Sequence, residues 1–335
     1  MKVSFLGAAS YERNAPRFGG PWPVAPEDCD RAVASRSLHQ TIEHCRRAED
    51  IGFDWISVSE HHYAPAMLTP NPLVLAGALS QVLQNARIAL LGPLIPLNNP
   101  VRIAEEIAML DAMSGGRVIV LFLRGLAFEH NTYVPVGEHS REITEEGIEL
   151  IQKAWTEPRP FAWDSRHFQF RSVSVWPRTL QSPHPPIFGS GNSEESALFA
   201  ARHRFGLAMS FMPVSRVARM IALYRAEARR CGWSPTADQV LYRGLCAMDD
   251  NSANAFDLAE SEAQASGGDA PLVVRGAFFT GGAKDILRRA AGLKDAGVGV
   301  IDVDIVPPTH VVNYAEQAAA LERFGREILP EIRRW

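Results

Sequence analysis

Short runs of apolar, β-branched residues alternate with longer one-faced stretches along most of this chain. That change of period is the mark of β-α-β units around a parallel sheet. Eight runs read as strands, at 2–7, 53–58, 87–95, 117–123, 186–190, 205–210, 239–247 and 298–306. Between the first two, Ile42, Cys45, Glu49 and Ile51 alternate with Glu43, Arg46, Arg47 and Asp50 at helical spacing. A second helix runs from Val101 to Met113, opened by Pro100 and closed by Ser114-Gly115-Gly116. A last stripe, Val311, Tyr314, Ala318, Leu321, Phe324 and Ile328, predicts a helix from Val311 to Ile328. Eight strand–helix units in 335 residues favour an α/β fold of the (β/α)8 TIM-barrel type over an open doubly wound sheet.

Three stretches exceed a minimal barrel. Residues 8–30 form a long first loop with Phe18-Gly19-Gly20-Pro21-Trp22-Pro23. Residues 157–185 contain the alternating His167-Phe168-Gln169-Phe170-Arg171, expected as a hairpin before the fifth barrel strand. Residues 249–280 hold a helical patch and Ser266-Gly267-Gly268, expected as an insertion after the seventh. Such excursions usually serve as lids, pocket walls or interface elements. With no linker and no internal repeat, one domain spanning 1–335 is expected.

The net charge of −4 gives no electrostatic case for nucleic acid or an anionic membrane as partner. Cys29, Cys45, Cys231 and Cys246 include no Cys-x-x-Cys pair, so neither a zinc site nor a redox motif is predicted, and reduced thiols in the cytoplasm are the simpler expectation. The segment Met1 to Gly7 is too short for a signal-peptide core and reads as a first buried strand. No apolar run approaches the roughly 18 residues a membrane span requires.

Candidate chemistry gathers at strand ends. Ser59-Glu60-His61-His62 follows the strand Phe53-Asp54-Trp55-Ile56-Ser57-Val58, at the carboxyl end where α/β proteins bind ligands. Two imidazoles there can titrate near neutral pH, although one of them could equally hydrogen-bond a neighbouring loop. Ile187-Phe188-Gly189-Ser190-Gly191-Asn192-Ser193-Glu194-Glu195 leads from a strand into a helix. Small residues and a helix N-terminus suit a phosphate. Asn192 as cap with Glu195 three residues on also fits a capping box, and the third glycine of a Rossmann fingerprint is missing. Gly92-Pro93 within the third strand fits either a bulge or a close backbone approach to a ligand.

Gly52-Phe53-Asp54-Trp55-Ile56-Ser57-Val58-Ser59-Glu60-His61-His62 resembles the luciferase-like flavin monooxygenases, the superfamily of bacterial luciferase. So do Gly92 to Glu106 (GPLIPLNNPVRIAEE) and Leu110-Asp111-Ala112-Met113-Ser114-Gly115-Gly116-Arg117, which runs on to Leu123-Arg124-Gly125. The blocks stand in family order with family spacing, and the likeness covers nearly the whole chain. It implies a (β/α)8 barrel that uses reduced FMN and dioxygen to oxidise a small organic substrate through a flavin hydroperoxide. It further implies a separate flavin reductase as partner and a homodimer formed through the first barrel helices. By position, His61 matches the active-site histidine, where an imidazole can move a proton. Glu60 and His62 are read as its supports. Arg124, Arg141, Gly92 and the run Gly189, Ser190, Gly191, Asn192 and Ser193 match flavin-binding positions, with the arginines offsetting Glu194 and Glu195. Phe5, Gly7, Met209, Phe211, Asp302, Asp304, Trp22 and Tyr133 are expected to line a mostly apolar substrate chamber. Two further readings stay open: hydride transfer with a deazaflavin, and flavin binding without turnover. A metal-dependent hydrolase is disfavoured, because Gly7-Ala8-Ala9 stands where a His-x-His would be needed.

Overall fold

The structure, a computed structural model, describes residues 1–13, 22–126, 129, 139–265, 277–307 and 312–335. The eight anticipated runs all form strands of one barrel: β1 (Lys2–Leu6), β2 (Trp55–Ser59), β3 (Arg87–Leu94) and β4 (Val118–Leu123) come first. A hairpin, β5 (Phe161–Asp164) and β6 (Gln169–Val173), intervenes. The barrel resumes with β7 (Ile187–Ser190), β8 (Gly206–Ser210) and β9 (Val240–Met248), and ends, past a short β10 (Phe279–Gly281), with β11 (Val300–Ile305). The order β9-β11-β1-β2-β3-β4-β7-β8 closes through β8 and β9, with every barrel pairing parallel. All eight carboxyl ends therefore open on one side, and that mouth is where side chains from different strands can converge.

Strands buried on both faces divide two cores by parity. Trp55, Ala89, Ile119, Phe188, Ala208, Leu241 and Val300 form a layer inside the barrel, with Leu6, Ala8, Leu91 and Leu121 above them. The opposite parity packs outward against the helices. Phe5 meets Phe53 edge-on at 5.7 Å, Met209 joins the same outer core, and a Cβ at Gly7 would fall 2.5 Å from the Cys45 sulfur. Phe5, Gly7 and Met209 thus do not line the interior, contrary to the sequence expectation. Tyr133 lies outside the described residues.

The helices are set by their caps. In α1 (Arg31–Ile51) the Asp30 carboxylate accepts from the amides of Ala32 and Val33, and Gly52 ends it at φ 112°. After α2 (Pro72–Val82), α3 (Pro100–Met113) starts at Asn99, which accepts from Val101 and Arg102. Next come α4 (Ser140–Thr156), α5 (Glu194–Arg202), α6 (Val214–Arg230), α7 (Ser252–Ala265) and α8 (Ala283–Ala296). The expected last helix begins later than its apolar stripe, as α9 (Tyr314–Glu327) capped by Asn313, and continues into α10 (Leu329–Arg333). Val311 lies outside the described residues. The hairpin lies along α4, where Glu146 accepts from the Phe168 amide at 3.0 Å. The stretch 249–280 contributes α7 and β10, and β10 pairs with the upper end of β9.

Candidate active site

At the end of β2 the chain turns across the mouth and places three polar residues in a row. Glu60 is buried and faces β3. Its carboxylate accepts from the Leu94 amide (2.9 Å), the Asn98 amide group (3.2 Å) and the His62 ring (3.1 Å). Gly92 sits directly against it. At φ 135°, and with a Cβ that would lie 3.1 Å from Glu60 Cβ, only glycine fits there without strain. The register of β3 on β4 slips at Leu91/Gly92, so the anticipated bulge is present. Glu60 and His62 therefore brace one another and the tip of β3. The Trp22 indole also donates to the His62 carbonyl at 3.0 Å, which ties Trp22 to this segment.

His61 points the other way, as alternation along an extended segment requires. Its Nδ1 lies 3.4 Å from Oε1 of Glu129, an ion-pair distance without an aligned hydrogen bond. Glu129 is 1% exposed, and its other oxygen accepts from the Leu126 amide at 2.9 Å. Burial pushes its pKa up, but the contact with His61, the Leu126 amide and the nearby imidazoles outweigh that and hold it below the ordinary carboxylate range. Sequence reading missed Glu129, since an acid in an aperiodic loop carries no local signal.

The second polar end follows β7. Gly189 and Gly191 make room for protein: a Cβ at the first would meet Ala200 of α5 at 2.9 Å, and at the second Met209 and Leu207 of β8 at 2.7–2.8 Å. Asn192 ties the loop to β8, accepting from the Ser210 amide and donating to the Ser210 hydroxyl, both at 2.9 Å. The helix cap is Ser193, whose hydroxyl accepts from the Ser196 amide, and not Asn192 as the sequence suggested. The difference is physical: Asn192 is already spent on β8. Glu194 and Glu195 are exposed. Arg141, at the start of α4, stands 3.5 Å from Glu195, while Arg219 and Arg216 of α6 approach Glu194 (3.9 Å) and the Asn192 carbonyl (3.0 Å). Arg124 directly follows β4 and is exposed; β4 itself pairs with β7, Leu121 opposite Phe188. The structure thus gathers Ser190, Asn192, Ser193 and Arg141 into one cradle. His61 at the end of β2 and Gly92 on β3 stand three and two strands away.

Between the two ends the inner positions Leu121, Leu123, Ser190, Ser210 and Arg243 are only half-buried, whereas Leu6, Ser57, Leu91 and Asp302 are closed off. The open half of the barrel interior therefore lies over β4, β7, β8 and β9. Among the described residues no group of three or more His, Cys, Asp or Glu side chains could hold a metal ion, and no helix is long and apolar enough to cross a membrane.

Fold and site together define a (β/α)8-barrel protein with polar side chains gathered at the strand tips. The family model of luciferase-like monooxygenases matches residues 20–319, and the chain belongs to that family. It is 27% identical over 181 residues to the oxygenase component of the flavin-dependent trigonelline monooxygenase of Acinetobacter baylyi, covering 52% of this chain and 49% of that one. The chain spans about half the length of the curated relatives it matches. A monooxygenase of Streptomyces bottropensis superposes with a TM-score of 0.82 at 22% identity, over 99% of this chain and 100% of that one. The oxygenating constituent of 3,6-diketocamphane monooxygenase from Pseudomonas putida, solved with FMN, gives 0.75 at 17%, over 99% and 98%. At such identities these two likenesses speak for the fold.

Proposed function

We propose that this chain is a flavin-dependent monooxygenase that takes reduced FMN as co-substrate and oxidises a small organic molecule at the barrel mouth. One observation carries the reading. The mouth has two unlike polar ends, an imidazole–carboxylate pair after β2 and a cradle of amides, hydroxyls and arginine after β7. They stand three inter-strand steps apart, roughly 14 Å along the wall. That span suits a ligand with a reactive ring at one end and a phosphate at the other.

The residues fit such a ligand. Ser190, Asn192, Ser193 and the amides opening α5 would take the phosphate, with Arg141 and Arg124 supplying charge. Gly92, free of a side chain so that β3 can pack on Glu60, would bring main chain up to the ring, and Leu121 and Leu123 keep water from the reacting region. When bound, FMN would supply the redox chemistry with dioxygen. His61 is the proton-handling group. With Nδ1 turned to the Glu129 carboxylate, its Nε2 is the nitrogen left to accept or return a proton.

The relative described as an oxygenase component supports a two-component arrangement in which a reductase delivers reduced flavin. Val74 on α2 and Met109 and Met113 on α3 are 73%, 52% and 46% exposed, which supports a homodimer through these helices. We read the whole chain as one barrel domain working in the cytoplasm. The test is to mix the purified chain with reduced FMN, dioxygen and a panel of aldehydes, ketones and sulfonates, following product by mass. A product that gains one oxygen atom is expected. Turnover with a reduced deazaflavin alone would overturn the FMN assignment. FMN binding without any substrate oxidation would make the chain a carrier.

A further inference from the structure

A TIM-barrel interior is ordinarily filled by branched apolar side chains. Here the layer above Leu241 and Val300 carries Arg243 on β9 and Asp302 on β11, opposite one another in the strand pairing. Asp302 is wholly buried, and one of its oxygens accepts from the Ser57 hydroxyl at 2.7 Å. Its other oxygen is 3.9 Å from Nε of Arg243, too far for a hydrogen bond, and both atoms are enclosed without a partner. Burial pushes the Asp302 carboxyl up, and Arg243 pulls it partly back. The Arg243 side chain is 15% exposed: its Nε is enclosed without an acceptor, while its terminal nitrogens are not among the enclosed unpartnered atoms and face the open half of the barrel. It sits at the floor of the open half, beside half-buried Ser210, with Phe211 at 6.0 Å. Phe211 is itself exposed at φ 51° and packs edge-on against Phe278.

A largely enclosed guanidinium with an unmatched Nε and terminal nitrogens turned to an open chamber is costly to keep there unless a ligand completes it. We propose that Arg243 anchors the substrate, donating from its terminal nitrogens to a carbonyl oxygen carried on an apolar body that rests against Phe211 and Leu121. Two features select this class. Asp302, and Asp304 one layer higher on the same interior face, give the floor both signs of charge, which suits a neutral acceptor better than a free anion. β9 also stands across the barrel from β3, so a flavin ring resting on Gly92 leaves Arg243 to the second ligand. This placement rests on the flavin reading given above.

The test is equilibrium binding to the full chain, followed by tryptophan fluorescence, of acetophenone, ethylbenzene and benzoate. Wild type is expected to bind acetophenone at least tenfold more tightly than ethylbenzene, and benzoate no more tightly than acetophenone. Arg243→Met should erase that preference, Arg243→Lys should keep part of it, and FMN affinity should stay within twofold. Arg243→Met leaves Asp302 unpaired and can fail to fold, so the same comparison is made in Asp302→Asn and in the double variant. There, Asp302→Asn keeps the preference and the double variant loses it. Equal binding of acetophenone and ethylbenzene by wild type, or a preference that survives removal of Arg243, overturns the proposal. Tighter benzoate binding, or a loss of FMN affinity in place of acetophenone affinity, does so as well. If FMN fails to bind wild type while the acetophenone preference holds, the flavin reading falls and the Arg243 site stands.

Discussion

The pair His61–Glu129 joins an imidazole 32% exposed at the mouth to a carboxylate that solvent hardly touches. On the proposed function, Glu129 would act through His61, holding Nδ1 towards its carboxylate. His61→Gln should lower turnover by roughly 10²–10⁴-fold, the usual worth of a positioned proton-transfer group. Glu129→Gln, which keeps shape and removes charge, should lower kcat by less, leave KM nearly unchanged and alter the pH–rate profile. An unchanged profile in steady-state kinetics would reduce Glu129 to packing. The sign of its pH effect is fixed. Because its folded pKa lies below the ordinary value of 4.5, its stabilisation is fully present above that value and is lost as pH falls through the lowered one. Gly92 is the other residue with no substitute. Gly92→Ala forces a side chain into φ 135° against Glu60 and should cost about 1–3 kcal/mol in urea unfolding. It should weaken FMN binding at the same time.

At the scale of elements, the cradle after β7 depends on α5 starting at Ser193. Ser193→Ala should destabilise by about 1 kcal/mol through the lost cap. Together with Arg141→Gln it should lower FMN affinity by roughly tenfold, as loss of a charge-assisted contact implies, and leave riboflavin affinity unchanged. Equal losses for the two ligands by fluorescence titration would move the phosphate elsewhere. A purely structural prediction concerns α6. The Arg230 and Arg202 guanidiniums, both bonded to Glu227, hold its carboxyl at about 2. The stability gap between wild type and Glu227→Gln should therefore be constant above the ordinary value of 4.5 and close as pH falls from there towards 2. A gap that persists in acid would mean the helix is held by something else.

These elements also show which features were readable beforehand. Strand runs, the helix bounded by Pro100 and Gly115, and the His61 tip stand out because period, proline and glycine are local signals. Facing is not legible: a strand buried on both sides has no polar alternation to give its phase, so Phe5, Gly7 and Met209, expected at the chamber, face the outer core instead. The cap moved from Asn192 to Ser193 because a tertiary partner, Ser210, had claimed Asn192. Arg243 did leave a trace, as a lone charge inside the apolar run Val240-Leu241-Tyr242-Arg243-Gly244-Leu245, but its partner Asp302 lies 59 residues on.

At the scale of the whole molecule, the exposed apolar side chains of α2 and α3 bear on how many barrels act together. Net charge is small, so copies repel one another little and exposed apolar surface can drive pairing. Val74, Met109 and Met113 lie on α2 and α3, which pack side by side, and Met109 and Met113 are four apart on one helix face. A monomer gains nothing from exposing large side chains there, whereas a two-fold pairing would bury the patch against its own copy. The same α3 begins just after Asn98, which donates to Glu60, so a partner seated on α3 would steady the tip of β3 beside His61. Met109→Glu should therefore do two things at once: shift the chain to a monomer in sedimentation velocity, and raise the KM for FMN. Arg229→Glu, exposed on α6 away from α2 and α3, should do neither. A wild-type chain that sediments as a monomer at micromolar concentration would refute the pairing, and unaltered FMN kinetics in a proven monomer would break its link to the site.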